Sequence, residues 1–180
     1  MREQDCVYCF SGEIVNHVRS VVGFGNYLIG DGYRLPIADA SVDEVLWLDT
    51  IGHLPTAELL LQEIARVLKP DGSLLISFSN RNSVFGLAYD LYNFKLGNTI
   101  LNTYLWRIGP ERKFHIGEIR RLVSDCGLGI YAEYGLSIGK YQGFPAKWRL
   151  VVWLHNVFER LMPVLFSEVI AMSVRKPLQF

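Results

Sequence analysis

The sequence predicts a single α/β domain, a largely parallel sheet with helices on both faces. Two observations carry this. Short apolar runs alternate with stretches of helical spacing through residues 5–80, and such alternation implies βαβ units and a parallel sheet. Half of the 180 residues are apolar and 13% are aromatic, enough to build one sizeable core. The expected division is one unit over 1–180, with sheet-forming βα units in 1–80 and helices plus closing antiparallel strands in 81–180.

Residues 5–10, DCVYCF, are a short apolar run suited to a buried strand. Ser11 is a plausible N-cap, and Ile14, Val15, Val18, Val21 and Val22 follow at helical spacing. Gly23, Gly25 and Asn26 end that helix, and residues 27–29 form a second strand reaching Gly30. Residues 41–48 are strand-like. Pro55 and Thr56 open a helix that runs to Lys69, with Leu60, Ile64, Val67 and Leu68 on one face. Lys69 lies at the negative end of the helix dipole, Pro70 stops the helix, and Asp71-Gly72 is a turn. Residues 73–79 are a buried strand.

After Asn80 the pattern changes. SVFGLAYDLYNFKL reads as an aromatic-rich helix, and residues 97–113 are irregular. Residues 116–127 form a short amphipathic helix closed by Gly127, residues 129–136 a strand, residues 146–161 a helix, and EVIAMSVRKP a last strand. The helix from Ala146 carries Trp148, Leu150, Trp153, Leu154 and Phe158. Core packing is the expected role for it. An interfacial membrane helix would carry Lys and Arg along its polar face, and this face is mixed.

Composition narrows the function. Lys+Arg and Asp+Glu are both 18, so there is no formal net charge. Nucleic-acid binding needs a basic footprint, and Arg2, Arg19, Arg34 and Arg81 are spread along the chain. No apolar run approaches the roughly 20 residues a bilayer requires, and the acidic start lacks the apolar segment of a secretory signal. The expectation is therefore a cytoplasmic protein without nucleic acid as partner and without stable membrane insertion. Cys6 and Cys9 have C-x-x-C spacing, but Cys126 stands alone and the four histidines are scattered, so no metal site is expected.

Ligands of open α/β sheets bind beyond the carboxyl ends of the strands. Three such ends fall on one rim: the end of residues 6–10, the Gly30-Asp31-Gly32 turn, and LDTIGHL at residues 48–54. An aspartate there can accept hydrogen bonds from an amine or hydroxyl. Gly32 lets a flat ring approach the backbone, and an N–H beside a carboxylate suits an adenine edge. The competing reading, that Asp31 only caps its own turn, has equal weight on the residues alone.

The order GDGYRLPIADASVDEVLWLDTIGHL…LLLQEIARVLKPDGSLLISFSN resembles the middle of class I S-adenosylmethionine-dependent methyltransferases of the type 11, small-molecule kind. The resemblance rests on Gly-Asp-x-x-x-Leu-Pro, on Ser41-Val42-Asp43 at a strand start, on His53-Leu54 after that strand, and on Glu-Ile-x-Arg-Val-Leu-Lys-Pro-x-Gly from Glu63 to Gly72. KFHIGEIRRLVSDCGLGI and IAMSVRKP are similar to later parts of the family, more loosely. The resemblance implies a Rossmann-like sheet with S-adenosylmethionine as cofactor and a small-molecule methyl acceptor. Asp31 and the backbone of Gly32 would meet the adenine. Asp49 and Thr50 would line the methionine end, and His53, at the start of the next helix, is a substrate-side candidate. No catalytic residue is nominated, because methyl transfer is largely positioning. The aromatic stretch 84–106 and the helix from Ala146 would cover the acceptor, which their character makes apolar or ring-containing.

The sequence also departs from that family. Its strand, glycine-rich loop and first helix have no counterpart before residue 10, and the acidic ribose-binding position falls at Cys9 or Phe10. The family's sheet is thus expected to lack its first strand and first helix, a βα unit of about 30 residues. Two strands must then leave open edges or close against each other, and open edges invite a second copy or a partner chain. Two readings follow: a methyltransferase whose missing part is supplied elsewhere, or a non-catalytic binding module of the same fold.

Overall fold

The computed structural model describes residues 6–9, 12–22, 26–83, 112–136, 149–161 and 163–178. Six strands and five helices appear among them. In chain order they are β1 (Cys6–Cys9), α1 (Gly12–Val22), β2 (Asn26–Ile29), β3 (Val42–Leu48), α2 (Ala57–Val67), β4 (Leu68–Ser79), α3 (Ile116–Asp125), β5 (Gly129–Leu136), α4 (Arg149–Leu161), α5 (Pro163–Phe166) and β6 (Val169–Arg175). A single 3₁₀ turn, Ile51–His53, lies between β3 and α2. The predicted aromatic helix after Asn80 falls outside the described residues from position 84 onward.

The strands form two sheets. β1 and β2 pair in parallel, from Cys6 opposite Asn26 to Cys9 opposite Ile29. The other sheet has the order β3-β4-β6-β5. β3 and β4 are parallel, while β6 runs antiparallel to both β4 and β5. The alternation of the first half and the antiparallel closure are thus both present. β1 and β3 do not pair with each other: among the described residues each keeps one open edge. Leu46 and Leu48 on β3 are 62% and 50% exposed, whereas Trp47, which points to the other face, is buried.

The core lies between one face of the four-stranded sheet and the helices α2 and α3. Leu61 and Ile64 from α2 and Ile119 and Val123 from α3 meet Leu74, Ile76, Phe78, Ile170, Met172 and Val174 from β4 and β6. The apolar positions of both helices recur at i, i+3 and i+4, which gathers them on one stripe. β6 lies between β4 and β5, which pairs both its edges, and the consecutive residues Val169 to Met172, which alternate between the two faces, are all buried. That explains its unbroken apolar run. Phe114 adds an edge-to-face contact with Phe78, ring centres 6.5 Å apart at 84°.

Three boundaries differ from the sequence expectation. Helix α2 begins at Ala57 and ends at Val67, so Pro55, Leu68 and Lys69 lie outside it. Leu68 is extended (φ −65°, ψ 133°) and pairs with Val42. Lys69 precedes Pro70, whose ring disfavours helical backbone at the residue before it. The Asp71-Gly72 bend survives inside the long β4, with Asp71 at φ +64°. It is tied to the chain after β6 by Asp71 N–H to the Lys176 carbonyl and Lys176 N–H to the Gly72 carbonyl, both 3.0 Å. A Cβ on Gly72 would sit 2.8 Å from the Lys69 carbonyl oxygen, so glycine is required there.

Helix α3 ends as its sequence suggests. Gly127 takes φ +72°. Its N–H bonds the Ser124 carbonyl (2.9 Å), and Leu128 N–H bonds Val123 (3.1 Å), the paired bonds of a Schellman stop. Leu150, Trp153 and Leu161 are 65%, 59% and 69% exposed. On helix α4 their spacing puts them on one exposed stripe, while Leu154 and Val157 are half-buried. No described helix is long and apolar enough to cross a membrane.

Candidate functional site

The carboxyl ends of β2, β3 and β4 each carry polar residues. After β2 the chain turns at Gly30-Asp31-Gly32. Asp31 is exposed, and its Oδ1 accepts a hydrogen bond from Tyr33 N–H (2.9 Å) while its carbonyl accepts from Arg34 N–H (3.0 Å). The carboxylate therefore does cap its own turn. That bond occupies Oδ1, and Oδ2 carries no hydrogen bond among the described residues. A Cβ on Gly32 would meet only the Leu60 side chain, at 3.4 Å. The protein's own packing does not demand glycine here, so the open backbone is available to a flat group. The Tyr33 hydroxyl is buried and has no hydrogen-bond partner among the described residues, an arrangement that costs about 1–3 kcal/mol unless something supplies a partner.

The loop from Asp31 to Asp39 is clamped to α2 by a pair of side chains that the sequence reading did not single out. Glu63 Oε2 accepts from Leu35 N–H (3.0 Å), and Arg66 donates to the carbonyls of Ile37 (2.9 Å) and Leu35 (3.1 Å). Arg66 also pairs with Glu63 (2.8 Å) and with Asp39. The Arg66 hydrogen bond is the main reason the Glu63 carboxyl lies below its ordinary range, and both carboxylates hold the guanidinium protonated. The available signal was the i, i+3 spacing of Glu63 and Arg66, which places both on one helical face.

At the end of β3, Asp49 adopts φ +49°. Left-handed backbone is uncommon outside glycine, and aspartate tolerates it better than most. The turn is held by Asp49 N–H, which donates to the carbonyl oxygen (3.1 Å) and the hydroxyl (3.0 Å) of Ser77. Asp49 and Thr50 are exposed. The Thr50 carbonyl accepts from His53 N–H (3.1 Å), closing the 3₁₀ turn. His53 thus ends this turn and does not begin α2, which starts four residues later: Leu54 is extended and Pro55 follows it. The His53 Nδ1 is buried and lacks a partner among the described residues.

Beyond β4 the sheet edge changes hands. Ser79 still pairs with Val169 of β6 on one side. On the side that β3 has vacated, Phe114 N–H bonds the Ser79 carbonyl (3.2 Å) and Arg81 N–H bonds Phe114 (3.0 Å). Arg112 N–H reaches the Gly52 carbonyl (2.8 Å), which ties this segment to the 3₁₀ turn. Asn80, Asn82 and His115 therefore join Asp49, Thr50 and His53 on one rim. No hydrogen bond or ion pair links Asp31 to Asp49 among the described residues. The asparagines were not legible as site residues, because one apolar strand followed by "SNRN" reads equally as a loop. Among the described residues, no group of three or more His, Cys, Asp or Glu is placed to hold a metal.

Comparison with known proteins agrees with the architecture. Residues 8–76 match the family model "Methyltransferase domain". The ubiquinone/menaquinone biosynthesis C-methyltransferase UbiE of Cereibacter sphaeroides is 29% identical over 124 residues, 63% of this chain and 50% of that protein. An uncharacterized methyltransferase of Mycobacterium leprae is 27% identical over 135 residues, 74% of this chain and 49% of that one. The chain thus spans about half the length of the curated relatives it matches. Among solved structures, the methyltransferase in a Haloferax volcanii complex with the Trm112 activator superposes with TM-score 0.69 at 18% identity, over 99% of this chain and 73% of that one. A S-adenosylmethionine-dependent methyltransferase of Methanosarcina mazei gives TM-score 0.66 at 13% identity, over 97% and 82%.

Proposed function

We propose that the chain is a class I S-adenosylmethionine-dependent methyltransferase and that it serves methyl transfer to a small, apolar, ring-containing acceptor. The observation that carries this reading is the Asp49 backbone. A non-glycine residue held left-handed at the end of the parallel edge strand β3 stores strain, and strain of this kind collects at ligand sites. Asp31 and Gly32 would take the adenine of the cofactor, with Oδ2 and the open backbone of the turn as contacts, and the unpartnered Tyr33 hydroxyl nearby fits a polar ligand. Asp49 and Thr50 would line the methionine end, with His53 on the acceptor side. S-adenosylmethionine would supply an electrophilic methyl group on a sulfonium. The residues of the chain would position it and exclude water.

The acceptor class rests on two supports. The exposed stripe of Leu150, Trp153 and Leu161 on α4 suits an apolar cover. Relatives such as the C. sphaeroides protein are named for quinone biosynthesis. We place the protein in the cytoplasm. The open edge of β3 is where a second copy or a partner chain would complete the sheet.

Titration calorimetry of the full chain with S-adenosylmethionine tests the reading. Micromolar binding is expected, with at least tenfold weaker binding for Asp31→Asn and for Asp49→Ala. Absence of binding would favour the second reading, a non-catalytic module of the same fold. The non-acidic Cys9 at the end of β1 and the open β3 edge motivate that alternative.

A further inference from the structure

The two halves of the candidate site stand on different parts of the fold. Asp31 and Gly32 follow β2, which among the described residues pairs only with β1. Asp49 follows β3, and its N–H is bonded to Ser77 on β4, within the four-stranded sheet. Among the described residues, no strand pairing joins the two sheets, and the core cluster contains no residue of β1, α1 or β2. The chain that links them, residues 30–41, is held by a ridge on α2. Leu60 lies against Gly32, where an added Cβ would meet its side chain at 3.4 Å. One turn on, Glu63 Oε2 accepts from Leu35 N–H (3.0 Å). A further turn on, Arg66 donates through Nη2 to the Leu35 carbonyl (3.1 Å), and through Nη1 to the Ile37 carbonyl (2.9 Å) and to Asp39. The backbone continues the seam: Ala40 N–H bonds the Arg66 carbonyl (3.0 Å) and Ser41 N–H that of Val67 (2.9 Å). Leu61 and Ile64 of the same helix sit in the core. The ridge therefore stands on the body that carries Asp49, and it grips the loop that carries Asp31.

The turn at Asp31 does not need this ridge in order to close. Its own two bonds, from Tyr33 N–H and Arg34 N–H to Asp31, already do that, and the clamp grips the chain further on, from Leu35 to Asp39. We infer that Leu60, Glu63 and Arg66 are positioning residues that set the adenine end of the cofactor site, after β2, at a fixed spacing from its methionine end, after β3; this rests on the methyltransferase reading above. They act through the loop. A ligand that reaches both ends gains from a fixed spacing, because binding at one end holds the other at high effective concentration. A ligand that reaches one end only gains nothing from it. Loosening the clamp should therefore weaken a spanning ligand and spare its adenine half. Arginine suits the task because its planar fork serves two carbonyls and two carboxylates at once, whereas a lysine ammonium is a single point on a flexible stem. The side chains of Glu63 and Arg66 are 21% and 32% exposed and lie 2.8 Å apart, so each holds the other in place.

Calorimetry of the full chain with two ligands tests this. S-adenosylhomocysteine spans both ends, while methylthioadenosine keeps the adenine, ribose and sulfur but has no amino-acid group. Arg66→Met keeps the aliphatic stem and removes the fork. It should weaken S-adenosylhomocysteine by about tenfold or more and change methylthioadenosine by less than about twofold. Arg66→Lys should recover part of that loss, since it restores the charge without the fork. Urea midpoints show which variants are folded. Should Arg66→Met not fold, Arg66→Lys and Glu63→Gln carry the same comparison, and each should weaken the spanning ligand more than its half. Equal weakening of both ligands in folded variants would overturn the inference, because the clamp would then only shape the adenine turn. Unchanged affinity for both would overturn it as well. So would a wild type that binds S-adenosylhomocysteine but not methylthioadenosine, since the adenine end would then contribute nothing to align. Failure of the wild type to bind S-adenosylhomocysteine would instead refute the underlying function.

Discussion

Asn80→Ala is expected to destabilise the fold by about 2–4 kcal/mol, and the figure follows from the partners it strands. The substitution removes three hydrogen bonds, to Leu165, Ser167 and Asn82. Ser167 is fully buried, so its carbonyl loses a partner that water cannot replace, at a cost of about 1–3 kcal/mol. Leu165 is 40% exposed, and its carbonyl can be rehydrated at little cost. Asn82 is half-buried, and losing an acceptor for its N–H costs about 1 kcal/mol. Urea unfolding followed by tryptophan fluorescence should show a lower midpoint at unchanged slope. Asn80→Asp provides the control. It keeps the shape but turns a donor into a carboxylate oxygen facing two carbonyls, and should cost at least as much. A loss below about 0.5 kcal/mol for Asn80→Ala would refute the assignment of Asn80 as the anchor between β4 and the chain before β6.

Other perturbations test separate links. Gly127→Ala should cost about 1 kcal/mol in thermal unfolding, because the Schellman stop needs φ +72° while the added methyl meets nothing. Glu63→Gln should flatten the acid limb of stability. Its folded pKa lies below the unfolded one because Arg66 hydrogen-bonds it, so its contribution is present above the unfolded pKa and lost as pH falls through the folded value; an unchanged acid limb in urea midpoints against pH would count against the clamp. Burial raises the Cys126 thiol. Stability should therefore decline as pH rises past the ordinary thiol range near about 8.5, and Cys126→Ser should remove that decline. Asp49→Gly should hold or raise thermal stability by relieving a strained φ, while weakening S-adenosylmethionine binding; lower stability together with intact binding would reverse that assignment.

Periodicity and punctuation in the chain determined the elements and their type. Alternating apolar runs marked β1, β2, β3 and β4, and Gly127 marked the end of α3. These are local signals, written in neighbouring residues, and they survive without knowledge of what packs where. Tertiary structure decided the rest, because it depends on partners distant in sequence. Whether β1 would close against β3 turned on pairing between strands distant in sequence, and among the described residues the edges remain open. Helix α4 has an apolar face in sequence, but only its placement shows that Leu150, Trp153 and Leu161 point outward. Asp31 read equally well as a turn cap or a ligand group, and the fold shows one oxygen in the cap and, among the described residues, the other without a hydrogen bond. The Asn80 side chain joins positions more than 80 residues apart, Asn80 to Ser167. No spacing rule links them. These bonds exist only because the end of β4 meets the chain between α5 and β6.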